Sequence, residues 1–127
     1  MKAVRGVRSA RGAAGRLSGR RAEVAAALVL MLKGYRILGF RLKTPQAEID
    51  ILALRGRTLV AVEVKRRTSL VAALEAVSHD QRERLRRAAV NLAARRPSLS
   101  GASVRLDLVA LAPGRLPVHI PDAWKGA

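Results

Sequence analysis

Asp50, Glu63 and Lys65 carry the most specific chemistry this sequence offers, the last two separated by a single valine. Two carboxylates brought together supply hard oxygen ligands, the donor type that Mg²⁺ or Mn²⁺ takes. A lysine beside them can orient a water molecule or stabilise negative charge on a pentavalent phosphorus. That combination points to metal-assisted hydrolysis of a phosphodiester, in which the ion lowers the pKa of a bound water and offsets charge growing on the phosphate oxygens.

The case for their meeting rests on strand alternation. Residues Glu48 to Leu54 and Thr58 to Lys65 are two β-type runs around Arg55-Gly56-Arg57, which predicts a hairpin. Ile49, Ile51 and Ala53 fall on one face of the first run. Val60, Val62 and Val64 share a face of the second. Burying those two sets together fixes the parity of the register, so Asp50, Glu63 and Lys65 should share the other side. A turn at Gly56-Arg57 sets Asp50 directly opposite Glu63, whereas a turn at Arg55-Gly56 makes them diagonal neighbours. Like charges so placed are destabilising, and a divalent cation relieves them. The same spacing is also compatible with plain cross-strand ion pairs on a surface hairpin.

Other elements must position this hairpin. Leu17 to Lys33 favours helix and is apolar on nearly every side, which predicts packing between layers, with Gly34 as its C-terminal cap. Tyr35 to Leu42 reads as a strand and Thr44-Pro45-Gln46 as a turn. Ser78 followed by Gln81 opens a second helix expected to run to about Arg96, where Pro97 stops it. Strands are expected at Val104 to Leu111 and Leu116 to Ile120. The expected order is α-β-β-β-α-β-β in one domain over residues 16–127, behind a basic, disordered tail at 1–15.

Composition narrows the partner. Lys and Arg total 25 against 9 acids, a net charge of +16. Such an excess attracts polyanions, and a nucleic acid is the expected partner. Arg20, Arg21, Arg66, Arg67, Arg82 and Arg86 are the expected phosphate contacts. Aromatic residues make up only 2%, which tells against single-strand binding by stacking platforms. With no cysteine, a disulfide frame or thiolate metal site is excluded. The apolar run Val24 to Leu32 is too short to cross a bilayer, and Lys33-Gly34-Tyr35-Arg36 follows it where a signal-peptide cleavage site should stand. A cytoplasmic protein without a membrane partner is expected. His79 and His119 stand alone and are expected to be structural or solvated.

The spaced Asp50 and Glu63-Val64-Lys65 resemble the signature of the PD-(D/E)xK restriction-endonuclease-like superfamily. More narrowly, an ordered series resembles the bacterial YraN-like family, itself similar to archaeal Holliday-junction resolvases. The series includes Gly19-Arg20-Arg21-Ala22-Glu23, Gly34-Tyr35-Arg36-Ile37-Leu38, Ala47-Glu48-Ile49-Asp50-Ile51 and Asp122-Ala123-Trp124. The resemblance implies an α/β fold with a restriction-endonuclease-like mixed β-sheet flanked by helices. It implies Asp50, Glu63 and Lys65 as the catalytic centre, with Glu23 as a fourth member and a further ligand of the Mg²⁺ or Mn²⁺ ion. Ala47 stands where glycine is usual, and Gln81 where lysine is usual.

The expected function is therefore a metal-dependent endonuclease acting on DNA, with a preference for branched or recombination intermediates that rests on family analogy alone. The competing reading is a non-catalytic, basic nucleic-acid-binding module on the same fold. A third is a basic protein that binds another acidic partner. Resolvase-like relatives act as dimers, so a homodimer belongs among the expectations, although no dimer face is legible in the sequence.

Overall fold

A computed structural model describes residues 19–125. Helix α1 occupies residues 19–32 of the described chain and closes at Gly34, whose φ of 89° suits the expected cap. There Gly34 N–H donates to Met31 O and Tyr35 N–H reaches back to Leu30 O, each at 3.0 Å. The next three elements are β1 (Arg36–Lys43), β2 (Glu48–Arg55) and β3 (Thr58–Arg66). Two helices follow, α2 (Leu70–Glu75) and α3 (His79–Ala94), then a 3-10 turn at Pro97–Leu99, β4 (Ser103–Leu111) and β5 (Val118–Ile120). The expected tail at 1–15 lies outside the described residues.

The strands form one five-stranded mixed sheet in the order β1-β2-β3-β4-β5. Only β3 and β4 run parallel, because the chain crosses between them through α2 and α3. Arg55 pairs with Thr58, so the hairpin reverses at Gly56-Arg57, with Gly56 at φ 59° in the first turn position. Thr44 builds the preceding turn, its hydroxyl donating to Ala47 O at 2.6 Å and accepting the N–H of Ala47 at 3.0 Å. Ala47 is not among the positive-φ residues, so this backbone does not need the glycine usual there.

Each face of the sheet has its own apolar layer. Ile51, Ala53, Val60 and Val62 pack with Ala26, Ala27 and Leu30 of α1. Leu52, Leu59 and Ala61 pack with Leu85, Ala88 and Ala89 of α3. Burying side chains of this size is worth roughly 1.5–3 kcal/mol for each of the larger ones.

Five expectations need correction. Helix α2 was not foreseen, since six residues are too few to show helical periodicity; it starts where the Ser69 side chain accepts the N–H of Ala72. Helix α3 ends at Ala94 rather than Arg96, and β5 starts at Val118 rather than Leu116, just after Pro117, which lacks an N–H to pair. Helix α1 does not lie between layers, for Val24, Leu28, Met31 and Leu32 are all more than half exposed. Its apolar composition exceeds what one sheet face can cover. Finally, Ile49 does not join Ile51: it packs on the α3 side with Leu42, its partner on β1. Alternation therefore breaks at Asp50.

Candidate active site

The acidic residues gather where β2 and β3 part. Their ladder runs from Arg55↔Thr58 to Ile51↔Val62 and stops one step before Asp50 and Glu63 would pair. Beyond it, Oδ2 of Asp50 accepts the N–H of Val64 at 2.9 Å, taking the place of a ladder bond. Meanwhile Glu63 stays within the sheet on its other side, paired with Leu108 of β4. The turn at Gly56-Arg57 is thus the alternative that aims Asp50 at Glu63.

Electrostatics record the crowding. Glu63 is only 3% exposed. Burial, reinforced by the Asp50 carboxylate, pushes its pKa up to about 8. Burial also raises Asp50, and the Val64 N–H and Lys65 only partly oppose it. Lys65 places Nζ 3.7 Å from Oε2 of Glu63, whereas Oε1 of Glu63 is buried without a hydrogen-bond partner. A buried carboxylate oxygen with nothing to accept is costly, and a cation or a proton would relieve it.

A cleft of about 670 Å³ opens beside this pair. Asp50, Lys65, Glu23, Arg66 and Arg67 line it, and Glu63 lies buried behind the wall. Of the expected phosphate contacts, Arg66 and Arg67 therefore reach the cleft. Arg20 and Arg21 are exposed on the first described turn of α1. Arg82 and Arg86 are elsewhere, on α3 across the sheet. Arg82 sits 5.7 Å over the Trp124 ring, and Arg86 lies 4.0 Å from Glu83.

Glu23 lines the cleft but is turned to another partner. Its Oε1 accepts from Nε of Arg41 at 2.8 Å. Among the described residues no three of His, Cys, Asp and Glu form a ready-made ligand cluster, while the Glu23 charge is still felt at Asp50, whose pKa it helps to raise. Arg41, the partner of Glu23, was not singled out by sequence reasoning. It stands on β1 opposite Asp50 by continuation of the Phe40↔Ile51 and Leu42↔Ile49 register, with φ of 48°. Left-handed backbone at a residue other than glycine costs about 1–3 kcal/mol. Only its place in a run of strand residues is legible in the sequence, and that gives no sign of strain.

A second polar cluster was also missed. Asp107, fully buried on β4, accepts from Nε of Arg105 and Nε2 of His119, both at 2.8 Å, and from the Asp122 N–H at 2.9 Å. Burial would raise its pKa, but these hydrogen bonds outweigh burial and hold it down to about 2. Tyr35 OH and Lys33 complete the network, through Asp107 and Nδ1 of His119 respectively. His119, expected to stand alone, is instead buried within this network.

With this geometry in place, comparison with other proteins is decisive about kinship. The sequence matches the Uncharacterised protein family UPF0102 over residues 22–111. The chain belongs to the UPF0102 family. A UPF0102 protein of Caulobacter vibrioides (strain NA1000 / CB15N) is 66% identical over 122 residues, covering 96% of this chain and 98% of that one. One from Caulobacter sp. (strain K31) is 68% identical over 117 residues, covering 92% and 84%. One from Parvibaculum lavamentivorans is 49% identical over 107 residues, covering 84% and 80%. UPF0102 membership agrees with the YraN-like resemblance, and the matched span contains Glu23, Arg41, Asp50, Glu63 and Lys65. Among the described residues no helix is long and apolar enough to cross a membrane.

Proposed function

We propose that this UPF0102 protein is a restriction-endonuclease-like, metal-dependent nuclease that hydrolyses phosphodiester bonds in DNA. The observation that carries the reading is the buried Asp50–Glu63 pair with one Glu63 oxygen left without a partner. An order of one helix, three strands, two helices and two strands in a mixed sheet is compatible with the superfamily assignment.

The donor set fits a divalent cation. Asp50 and Glu63 offer hard oxygens, their mutual repulsion favours a cation between them, and Oε1 of Glu63 is available. Mg²⁺ or Mn²⁺ held there would supply an activated water and offset phosphate charge. The chain's own residues do the rest. The Val64 N–H holds the Asp50 carboxylate in place. Lys65, beside Glu63 and on the cleft wall, brings a positive charge toward a phosphate. Arg66 and Arg67 extend that positive wall along the cleft. The net charge of +16 draws the polyanion in.

The test is cleavage of single-stranded, duplex, flapped and four-way DNA with Mg²⁺, Mn²⁺ or EDTA, run with Asp50→Asn and Glu63→Gln. Metal-dependent cleavage lost in both variants, with DNA binding kept, is the expected result. Binding without cleavage on every substrate would replace this reading with the non-catalytic module.

A further inference from the structure

Two observations about Arg41 are independent of the acid pair. Its backbone takes φ of 48° in the middle of a strand, a conformation an arginine adopts only when its surroundings impose it. Its side chain, 39% exposed, uses Nε alone to bind Oε1 of Glu23. The terminal nitrogens have no hydrogen-bond partner among the described residues. One of them, Nη2, lies 3.9 Å from where a β-carbon on Gly19 would stand, and Gly19 lines the same cleft as Glu23, Asp50 and Lys65.

A guanidinium held by one edge presents its remaining N–H groups as a rigid fork, the geometry that matches two oxygens of a phosphate. From this we infer that Arg41 is a phosphate-anchoring residue of the cleft and that Glu23 is its positioning residue rather than an ion ligand. The anchor is distinct from Arg66, the last residue of β3, and Arg67 just beyond it. Its ligand class is a phosphodiester, so the inference rests on the nucleic-acid reading above. Glu23 fixes the direction of the fork through Nε, and the strained backbone of β1 sets where the side chain leaves the sheet.

The experiment is metal-free binding of the full chain to fluorescent single-stranded and duplex oligonucleotides, in EDTA and over a salt series. Arg41→Ala should weaken binding roughly tenfold and lower the salt slope by about one. Arg41→Lys keeps the charge but not the fork, and should recover less than half of that loss. Arg41→Gly, which suits the local backbone, guards against a folding defect and should behave as Arg41→Ala does. Arg84→Ala, an exposed charge on α3, should weaken binding less. Glu23→Gln should weaken binding about threefold, a value for a partly misaligned fork, while leaving Mg²⁺ affinity by calorimetry unchanged. Equal effects of Arg41→Ala and Arg84→Ala would overturn the anchor. So would loss of Mg²⁺ binding in Glu23→Gln with oligonucleotide affinity intact. Wild-type protein that binds no oligonucleotide at low salt would remove the nucleic-acid reading itself, whereas wild-type binding insensitive to Arg41 removes only the anchor.

Discussion

The backbone N–H of Val64 is hydrogen-bonded to the side chain of Asp50, not to the backbone of β2. A carboxylate thus does the work of a strand at the point where β2 and β3 diverge, and the cleft opens there. The bond ties the candidate chemistry to the integrity of the sheet.

Asp50→Ala and Asp50→Asn should separate these two roles. Asparagine keeps an acceptor for the Val64 N–H, while alanine leaves that donor without one. Asp50→Ala should be less stable than Asp50→Asn by about 1–2 kcal/mol in urea denaturation. Both should lose cleavage and Mg²⁺ affinity alike. Equal stability of the two variants would mean that water replaces the carboxylate at no cost.

Glu63 makes metal-free stability depend on pH in an unusual direction. Its pKa rises from an ordinary 4.5 to about 8 on folding, so the folded protein keeps a proton that the unfolded chain has released. The Glu63 contribution to stability should be fully present below about 4.5, fall as pH rises, and be lost above about 8. Glu63→Gln should flatten that decline. Mg²⁺ at pH 8 should raise the melting temperature of the wild type and leave Glu63→Gln unchanged. A pH profile identical in both proteins would contradict the burial of this carboxyl.

Asp107 acts at the other end of the scale. Its folded pKa of about 2 lies below the ordinary 3.8, so its contribution is present above 3.8 and is lost as pH falls towards 2. Asp107→Ala leaves Arg105 and His119 without their shared acceptor and should cost about 3–5 kcal/mol at neutral pH. Chemical denaturation checks it. A change below about 1 kcal/mol would show the network to be dispensable.

Arg41 offers a backbone test. Glycine takes left-handed φ without penalty, whereas alanine does not. Arg41→Gly should therefore be more stable than Arg41→Ala by about 1 kcal/mol, despite the general cost of glycine in a strand. The reverse order would mean that β1 relaxes to extended backbone once the arginine is gone.

The hairpin, its reversal at Gly56-Arg57, the Gly34 cap and the Ser78 start of α3 were all legible in the sequence, because each depends on neighbours within a few positions. Strand parity and either allowed turn also bring Asp50 towards Glu63, and the Asp50 charge is felt at Glu63, although Ile49, one of the residues on which that parity was argued, lies on the α3 side. What alternation could not foresee is its own failure at Asp50, where Ile49 crosses to the α3 side and Arg41 takes left-handed backbone. Breaks of that kind arise from contacts across strands, not from the run of residue types along one. The same holds for Glu23, which a helix periodicity can place on a face but not pair with an arginine on β1. Asp107 and His119 looked like unrelated polar residues near the C-terminus, and only packing against Tyr35, far away in the chain, makes them a network. Local pattern determined which residues form the elements and which carboxylates converge. Tertiary packing decided which charges those carboxylates face, because a charge pair is set by distance in space, to which sequence separation is blind.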